Sequence, residues 1–423
     1  MREMKDSGIE WVGEIPEEWT KDKVIRLFNI IGSGTTPKNI TSDFPCVNWI
    51  QSGDINGSLI SDCKNNISKS IVSQYSALKI YAAPFIVIAM YGASVGNISI
   101  SLINGCVNQA CCVLSTSICN LNYAFYAIKS SQNYLVRKAI GGGQPNINQD
   151  TIKQLWLPLP ALPEQERIAA FLDAECAEID AVLEKTRASI EEYKKLKQAV
   201  ITQAVTKGVC GDRPMKDSGI EWIGDIPAEW EVVPFSKFAR VSANLVNPSD
   251  YQDYLQVSPE NIEKDSGKLL PCKTVSEVGV ESWNHLFHKG QILYSKIRPK
   301  LNKVCIAPFD GLCSADMYPI DTDNVSKFVV YTMLSNDFYQ QVAMITENRV
   351  KMPKINQKEL SKLIVVLPAN RMEQQEIVDY LDDKCGRIDA LIVKKQQYLT
   401  EIENYKKSLI YEYVTGKKEV HPL

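Results

Sequence analysis

The stretch MKDSGIEWVGEIPEEW at residues 4–19 returns as MKDSGIEWIGDIPAEW at residues 215–230. Thirteen of the sixteen positions are identical, and two of the three changes keep the character of the side chain, Val12 to Ile223 and Glu14 to Asp225. Identity this dense over so long a segment indicates an internal duplication, which constrains the architecture before any local pattern does. The chain is therefore expected to contain one structural plan twice.

A second set of shared segments repeats at an offset of 208 to 209 residues. Its members are INQ at 147–149 and 355–357, LPA at 159–161 and 367–369, EQ at 164–165 and 373–374, and IDA at 179–181 and 388–390. Between the shared segments lie two stretches with no evident similarity to each other. We name them the first divergent region, residues 20–155, and the second divergent region, residues 231–368.

The repeat also sets the other predicted boundaries. These are an N-terminal opener at 1–19, a central shared region with a long helix at 156–210, a repeated opener at 211–230 and a C-terminal shared region with a second long helix at 369–423. A chain of 423 residues is too long for one ordinary core. Two globular domains with connecting helices are therefore expected.

Two long helices are predicted after Pro163 and after Met372, where about 40 residues almost lack glycine and proline and are rich in Glu, Lys, Ala, Leu and Ile. Apolar residues recur there at alternating spacings of 3 and 4, the pattern of a coiled-coil seam. The predicted seam consists of Leu172, Ile179, Leu183, Ile190, Leu381, Ile388, Ile392 and Leu399.

The simplest packing of these helices is antiparallel, with the divergent regions at opposite ends of a rod. The alternative is a helix on the surface of each domain. Length disfavours that alternative, because about 40 residues at about 1.5 Å each span about 60 Å, which is more than a domain of this size needs.

Both divergent regions have short apolar runs set among Gly, Asn, Ser and Asp turns. The runs lie at 85–90 (FIVIAM), 110–114, 291–294 and 363–367. Turn-rich segments lie at 32–39 (GSGTTPKN), 47–56 (VNWIQSGDIN), 91–97 (YGASVGN), 141–148 (GGGQPNIN), 257–262 (VSPENI), 289–303 (KGQILYSKIRPKLNK) and 347–356 (ENRVKMPKIN). The fold class predicted is α/β (α+β), with two globular domains of mixed sheets separated by two long antiparallel helices in a pseudo-twofold repeat.

Charge is distributed unevenly between the two halves. The formal net charge is -3, which argues against a wholly basic nucleic-acid-binding protein. Residues 20–150 nevertheless contain 10 Lys and Arg against 5 Asp and Glu, whereas residues 231–361 contain 15 against 15. Electrostatics alone therefore leaves DNA binding as one possibility among several.

The cysteines, the apolar runs and the first residues bear on metal binding and on the location of the protein. The 12 cysteines are scattered, and their densest group lacks a C-x-x-C spacing, so buried reduced thiols are favoured over a zinc site or any other metal site. No apolar run approaches the roughly 20 residues of a membrane span. The first residues also lack the apolar stretch of a secretory signal, so a cytoplasmic protein is predicted.

The motifs that would carry chemistry are not found. There is no G-x-x-x-x-G-K-[ST] and no G-x-G-x-x-G that opens a helix after a strand, which argues against nucleotide binding. An adenine methyltransferase needs an Asn-Pro-Pro-Tyr/Phe loop, and the nearest string, Asn247-Pro248-Ser249, differs at its third position. A nuclease-type carboxylate cluster followed by E-x-K is also missing. We expect no catalytic site.

These residues resemble one family closely, and the resemblance covers essentially the whole chain. The shared features are the MKDSGIEW...IP..W opener, the INQ...LP...EQ..I...LD..I..ID entry into a long helix, helix ends at VTKG (205–208) and VTGK (414–417), and the duplication of all of it. They are similar to those of type I restriction-modification specificity subunits. The duplicated helices carry most of this resemblance, while GSGTTP and SKIRP are supportive.

The resemblance implies a function and a set of partners. The divergent regions would be target recognition domains that each read half of a split double-stranded DNA site. The shared helices would dock two DNA adenine methyltransferase subunits and a nuclease/translocase subunit, and would set the gap between the half-sites. S-adenosylmethionine, ATP and Mg²⁺ would then be bound by those partners, with no cofactor on this chain.

Candidate DNA-contacting residues are polar or basic side chains in the turn-rich segments. They are Thr35, Thr36, Lys38, Gln51, Gln144 and Asn146 in the first divergent region and Lys296, Arg298, Lys300, Asn302, Lys303, Arg349 and Lys351 in the second. Each of them, taken singly, is also compatible with a solvated loop. Trp11, Trp19, Trp222 and Trp230 are expected either to help dock partners or to pin the openers to the helix ends.

Two domains that reach one face of B-DNA require half-sites about 10 bp apart, or a multiple of it. The helices would then act as a ruler, and inserting about one turn into both should lengthen the spacer without changing either half-site. Three other functions remain open on the residues alone. They are an autonomous DNA-modifying enzyme, a coiled-coil adaptor that never touches DNA, and a specificity subunit whose partner carries methylation and cleavage on one chain.

Overall fold

The computed structural model describes residues 2–38, 40, 44–57, 59–139, 146–349 and 352–420. It divides into two compact units: the first contains Met1–Lys185 and Tyr398–Leu423, and the second contains Thr186–Gln397. Each unit therefore holds one opener, one divergent region and a segment of each long helix. The α+β class with mixed sheets is confirmed.

The first divergent region and its opener form small sheets flanked by short helices. The strands are β1 (Met4–Ile9), β2 (Gly13–Pro16), β3 (Thr20–Lys23), β4 (Ile30–Gly32), β5 (Cys46–Ile50), β6 (Leu59–Ile60), β7 (Asn66–Ser68), β8 (Phe85–Ala89), β9 (Ile98–Ser101), β10 (Gly105–Val107), β11 (Cys111–Ser115) and β12 (Trp156–Leu159). The helices are α1 (Val24–Leu27), α2 (Lys69–Gln74), α3 (Leu121–Ser130), α4 (Gln132–Arg137), α5 (Gln149–Lys153) and the long α6 (Leu162–Lys207).

The main sheet of the first unit has the order β4-β11-β8-β9-β6, and a second sheet has the order β10-β5-β7. The β8 run is buried at every position, because alternate side chains enter two different apolar cores. Ile86 and Ile88 pack on the helix side, while Phe85 and Val87 pack on the other face. A continuous apolar run is what a strand covered on both faces requires.

A strand pairing crosses the predicted boundary of the first divergent region at residue 155. β12 begins at Trp156 and pairs antiparallel with β3, with Leu159 opposite Thr20. The region therefore closes on itself at Leu159, three residues before α6 begins.

The second unit repeats this arrangement. Its strands are β13 (Met215–Asp217), β14 (Asp225–Pro227), β15 (Glu231–Pro234), β16 (Arg240–Val241), β17 (Leu245–Val246), β18 (Leu255–Val257), β19 (Lys273–Thr274), β20 (Asn284–Phe287), β21 (Ile292–Ser295), β22 (Val304–Ile306), β23 (Gly311–Cys313), β24 (Met317–Asp321) and β25 (Ile364–Leu367). Its helices are α7 (Phe235–Phe238), α8 (Val275–Val278), α9 (Ser326–Leu334), α10 (Asn336–Thr346), α11 (Gln357–Leu360) and the long α12 (Arg371–Val414).

The sheets of the second unit have the orders β16-β24-β21-β22 and β17-β20-β23-β18-β19. As in β8, successive side chains of β21 enter different cores: Ile292 and Tyr294 lie in one, and Leu293 lies in the other. β15 pairs with β25 as β3 pairs with β12. The strands β4-β11-β8-β9 correspond to β16-β24-β21-β22, and β10-β5-β7 corresponds to β23-β18-β19. Among the described strands, β6 of the first unit and β17 and β20 of the second have no counterpart, so most of the order of elements, but not all of it, is shared by two regions whose sequences show no evident similarity.

The two helix segments within each unit run antiparallel. In the first unit Lys406 Nζ lies 2.6 Å from Asp180 Oδ1, and the rings of Phe171 and Tyr413 are 4.5 Å apart. From the first contact to the second, the residue number decreases along α6 and increases along α12, so the two helices run in opposite directions. In the second unit Lys197 Nζ lies 2.8 Å from Asp389 Oδ1. Lys197 and Lys406 are 209 positions apart, as are Asp180 and Asp389, so one ion pair is made twice.

The eight predicted seam residues are all withdrawn from solvent. Leu172, Leu183, Ile190, Leu381 and Ile388 are buried, and Ile179, Ile392 and Leu399 are half-buried. The ion pairs described above interrupt this apolar seam. A polar pair in such a seam favours one register and one orientation over others.

A carboxylate at the start of each long helix pins the opener of its own unit. Glu164 accepts hydrogen bonds from Arg2 Nη1 at 2.6 Å and from the indole Nε1 of Trp19 at 3.1 Å. Glu373 accepts the equivalent bonds from Arg213 and from Trp230 Nε1, the latter at 2.9 Å. A carboxylate in the first turn of a helix is also favoured by the helix dipole.

These contacts separate the four opener tryptophans. Trp19 and Trp230 are buried and serve to pin the openers, so neither side chain is available to a partner. Trp11 is half-buried and donates from Nε1 to Trp156 O at 3.1 Å. Trp222 is 55% exposed and remains a surface residue.

Glycine is required where each long helix ends. Gly208 and Gly416 have φ of 76° and 71°, the left-handed conformation in which helices commonly terminate. A Cβ on Gly416 would lie 2.4 Å from Pro16 Cδ, and one on Gly208 would lie 3.3 Å from Trp230 Cζ2. The VTKG and VTGK segments thus end each helix against the opener of the same unit.

One half-buried cation, Lys129, departs from the repeat. Tyr126 OH donates to Asp173 in the first unit, and Tyr331 OH donates to Asp382 in the second. These equivalent bonds align α3 with α9. In that alignment Lys129 corresponds to Leu334 of the second unit. Lys129 Nζ donates to Gly57 O at 2.8 Å. Burial, helped by the nearby positive charge of Lys406, lowers the pKa of Lys129 to about 8.

Candidate nucleic-acid interface

Loops of the first divergent region converge at one edge of its sheets. Gly34 lies against Val107, so closely that a Cβ on Gly34 would be 1.6 Å from Val107 O. Tyr81 OH donates to Ser33 O at 3.1 Å, and Thr36 Oγ1 donates to Gln109 Oε1 at 2.6 Å. The loop at 33–38 is therefore held on the segment that joins β10 to β11.

Backbone hydrogen bonds connect the other loops to the same segment. Asn108 N donates to Ile50 O at 3.3 Å, which brings Gln51 beside it. Met90 N donates to Ala110 O at 2.7 Å, and Tyr91 pairs with Asn146.

Thr35, Thr36, Lys38, Gln51 and Asn146 all lie on these neighbouring loops. Thr36, Lys38 and Asn146 are exposed there, while Thr35 and Gln51 are half-buried. Gln144 lies outside the described residues.

The second divergent region builds the same edge. Lys296 N donates to Asp316 O at 3.0 Å, and Lys296 O accepts from Ile355 N at 2.9 Å. Ser314 N donates to Val257 O at 2.9 Å, as Asn108 does to Ile50. The turn at 297–303 therefore occupies the place that the turn at 91–97 occupies in the first unit.

The two turns share two hydrogen bonds at an offset of 206 residues. Val95 N donates to Gly92 O at 3.1 Å, and Leu301 N donates to Arg298 O at 2.8 Å. Across the turn, Ala89 N bonds Asn97 O at 2.9 Å, and Ser295 N bonds Lys303 O at 3.0 Å. Both turns contain two left-handed residues, Gly92 and Gly96 in the first and Arg298 and Asn302 in the second.

A shared capping box follows β5 and β18. Gln51 N donates to Asp54 Oδ2 and Ser258 N donates to Asn261 Oδ1, both at 2.9 Å. QSGDIN and SPENIE thus correspond, although sequence reasoning treated the divergent regions as unrelated. The sequence did contain a signal for this correspondence. The shared segments repeat at an offset of 208 to 209 residues, and an offset of 206 to 209 residues also aligns these turns, although their residue types differ.

The basic candidates of the second region differ in what their charged groups contact. Arg298 and Lys300 are exposed, and among the residues that the structure describes neither side chain makes a hydrogen bond or ion pair. Lys296 Nζ lies 5.3 Å above the ring of Tyr318. Lys303 Nζ donates to Pro259 O at 2.6 Å, so it also ties the turn to the capping box.

Two other candidates serve the local structure. Asn302 is only 3% exposed, so its side chain is not on the surface that DNA would meet. Arg349 forms an ion pair with Glu359, with Nη2 2.6 Å from Oε1, and also bonds Lys354 O. That pairing lowers the pKa of Glu359 and raises that of Arg349. Lys351 lies outside the described residues.

The cysteines are mostly buried free thiols. Nine of the twelve are buried, and none forms a disulfide. Burial raises the pKa of Cys111 and of Cys112 to about 12, so both are neutral thiols at physiological pH. Within the described ranges, no group of three or more His, Cys, Asp or Glu side chains is placed to hold a metal ion.

No helix in the described part of the chain is both long enough and apolar enough to cross a membrane. α6 and α12 exceed the necessary length, but charged residues recur along both.

Comparison with known proteins identifies the family. The sequence matches the type I restriction modification DNA specificity domain twice, at residues 16–192 and 229–403. It is 31% identical over 343 residues to the specificity subunit of the type I restriction enzyme EcoDI of Escherichia coli, with 76% of each chain covered. It is 25% identical over 317 residues to the specificity subunit of the type I restriction enzyme MjaVIII of Methanocaldococcus jannaschii, with 71% of each covered.

The fold agrees with this assignment. A solved structure, described as the structural basis of complex assembly and conformational transition of the type I R-M system, matches with a TM-score of 0.71 at 15% identity. The match covers 96% of this chain and 99% of that one. Because the two domain matches span most of the sequence, the chain belongs to the family of type I restriction-modification DNA specificity subunits.

Proposed function

We propose that each divergent region reads one half of a bipartite, asymmetric DNA site. The observation that carries this proposal is that both regions build one loop framework and place different side chains on it. The turn at 91–97 is uncharged, whereas the turn at 297–303 presents Arg298 and Lys300. Two similar frameworks with different surfaces suit two different half-sites, since base readout depends on the side chains that reach the groove.

The shared segments are proposed to dock two copies of a DNA methyltransferase subunit, with a nuclease/translocase subunit joining the same complex. The support is the repetition of the Glu164 and Glu373 networks and of the Asp180 and Asp389 ion pairs. A surface that is presented twice can bind one kind of partner twice. The exposed parts of α6 and α12 are the proposed docking faces.

Trp222 supports one of these docking faces. It lines a groove in the second unit together with Gln198 and Thr202 of α6 and Asn336 at the start of α10. An exposed tryptophan beside polar groups is the kind of residue that carries binding energy at protein interfaces.

The methyl transfer and the cleavage are proposed to occur on the partner subunits, which would bind S-adenosylmethionine, ATP and Mg²⁺. The support is that the similar proteins are specificity subunits and that the methyltransferase loop is missing at Asn247-Pro248-Ser249. A partner that carries methyltransferase and nuclease on one chain fits the same residues. Methylation of DNA by the purified chain alone would contradict the proposal.

The experiment that tests DNA reading is single-molecule sequencing of methylated adenines in cells that carry this gene with its partner genes. The control strain lacks only this gene. We expect one two-part motif with a fixed spacer, methylated in the first strain and unmodified in the second. Methylation that persists in the control, or a motif made of one continuous element, would contradict it.

A binding measurement separates DNA reading from an adaptor role. The complex assembled with the methyltransferase subunit should bind a duplex that contains the motif, and its mass should correspond to two methyltransferase copies per chain. An assembled complex that does not bind the motif would favour the adaptor. A mass with one methyltransferase copy would contradict the role proposed for the repeat.

A further inference from the structure

Two bulky residues of the second divergent region adopt a backbone conformation that they rarely adopt. Among the described residues, five that are not glycine have positive φ: Asp212, Asp265, Arg298, Asn302 and Met352. Asp and Asn adopt this conformation comparatively readily, because their short side chains hydrogen-bond locally. Arg298, with φ of 45°, and Met352, with φ of 47°, have no such reason.

These two residues lie on segments that face each other. Arg298 N donates to Pro353 O at 2.7 Å, and Ile297 pairs with Lys354. Met352 is 60% exposed and Arg298 is exposed. The edge of the second divergent region therefore has unfavourable backbone conformations next to each other, both with the side chain in solvent. Conformations of this kind concentrate at functional sites.

The first divergent region shows that the turn itself does not need arginine. Gly92 stands at the place of Arg298 and makes the same hydrogen bond to the residue three positions later. Glycine adopts positive φ without steric cost. A glycine at 298 would therefore build the turn more easily, so the arginine is explained by what its side chain does.

The Arg298 side chain also differs from its basic neighbours. The charged group of Lys296 faces an aromatic ring, that of Lys303 bonds Pro259 O and that of Arg349 is paired with Glu359. No partner of the Arg298 guanidinium is found in the described part of the chain. Its planar fork of donors matches the O6 and N7 acceptors of guanine in the major groove, which a lysine contacts less specifically.

We propose that Arg298 is a base-reading residue of the second divergent region and that it recognises a guanine in the half-site read by that region. Lys300, two positions further along the exposed turn, contacts the phosphate backbone. This inference rests on the proposed function, in which the second divergent region reads one half-site.

The test compares Arg298→Gly with Lys300→Ala in the complex assembled with the methyltransferase subunit. Each complex is titrated with duplexes that carry the wild-type motif and every single base-pair change in both half-sites, at several salt concentrations. Glycine at 298 keeps the turn, so Arg298→Gly should fold and assemble. We expect it to lose discrimination at one G·C pair of one half-site, by roughly 5- to 150-fold.

Lys300→Ala is the matched control for a contact that carries no sequence information. It should weaken binding to all duplexes alike and reduce the dependence on salt by about one phosphate contact. If Arg298→Gly behaves in this way, or if it keeps the wild-type preference at every position, the base-reading role is overturned. If the wild-type complex shows no sequence preference, the proposed function fails, which is a different result from either of these.

Discussion

The turn at 91–97 of the first divergent region has glycine at both left-handed positions, whereas the turn at 297–303 of the second has Arg298 and Asn302 there. The two turns share the hydrogen bond across their ends and the bond to the first left-handed residue, so they differ most clearly in the side chains at the left-handed positions. Asn302 is buried and Arg298 is exposed. The backbone framework of the two regions is thus constrained by packing, while the exposed positions on it are open to change.

The shared parts of the two units show the opposite behaviour. Each long helix begins with a glutamate that binds an arginine and a buried tryptophan, and each antiparallel pair contains one Lys–Asp contact at the same place. Apart from Asp180, which is exposed, these side chains are buried or half-buried. They pair with one another, so a change at one of them leaves its partner unsatisfied. The comparison separates positions that are constrained by partners inside the chain from positions that are exposed to solvent.

The largest expected effect tests whether the hydrogen bond of Trp19 to Glu164 and that of Trp230 to Glu373 contribute equally to the stability of their units. Trp19→Ala and Trp230→Ala should each reduce the stability of their own unit by about 3–5 kcal/mol, because each removes a large buried side chain and leaves a carboxylate short of a donor. Hydrogen exchange, read separately for amides of the two units, measures this. Trp222→Ala is the control, since the exposed Trp222 should change stability by less than about 0.5 kcal/mol. If Trp19→Ala and Trp230→Ala reduced the stability of their units by unequal amounts, the two units would not be equivalent here.

A smaller effect concerns Lys129, the half-buried cation that stands where the second unit has Leu334. Because the pKa of Lys129 is lowered to about 8 by burial, with Lys406 adding to the effect and Cys176 and Asp180 opposing it, the folded protein holds fewer protons here than the unfolded chain above that pH. The unfavourable contribution is therefore fully present below about pH 8, and stability rises as the pH increases towards the ordinary lysine value of about 10.4.

Lys129→Leu copies the second unit and should remove this dependence. Between pH 7 and pH 10 the free energy of unfolding of the wild type should rise relative to the variant by about 1–2 kcal/mol. Urea denaturation of both proteins across this range measures the difference, in which the other titrating groups cancel. Lys195→Leu, at an exposed position of α6, is the control and should run parallel to the wild type. A parallel curve for Lys129→Leu would contradict the assignment.

The smallest effect comes from exchanging residue types between the two turns. Gly92→Ala should cost about 1 kcal/mol, because it places a Cβ at a φ of 76°. Arg298→Gly should be neutral or stabilise by about 0.5 kcal/mol, because it relieves the same conformation while adding freedom to the unfolded chain. Thermal unfolding measures both. A clear loss of stability in Arg298→Gly would mean that the arginine supports the fold, which would remove the reason for assigning it to DNA.

Patterns local to the sequence predicted the scaffold correctly. The repeated opener, the two long helices and the seam positions were visible because identity at a constant offset and a seven-residue apolar period do not depend on distant residues. The short apolar runs at 85–90 and 291–294, on which the predicted mixed sheets rested, contain the strands β8 and β21. The pairing of β12 with β3, which crosses the predicted boundary at residue 155, was not visible in the sequence, because it joins residues more than 130 positions apart.

The loops that hold the candidate DNA-contacting residues were only partly predictable. Residue type marked Arg298 and Lys300 as candidates, but it marked Asn302 and Arg349 equally, and only the fold shows the first of these two buried and the second paired with Glu359. The tryptophans divide in the same way, since Trp19 and Trp222 occur in the same repeated motif yet one is buried and the other exposed. Burial and pairing depend on which segments pack together, which a list of residues does not contain.

By itself the sequence determined that this protein is a duplication with two long helices, two divergent regions and the residues of a type I specificity subunit, since each of these is a property of neighbouring residues or of identity at a fixed offset. Only the tertiary structure showed that the divergent regions share a framework and that one turn in it is built with glycine in one half and with an exposed arginine in the other. Backbone dihedral angles and hydrogen bonds between distant strands decide this, and different side chains satisfy them equally well.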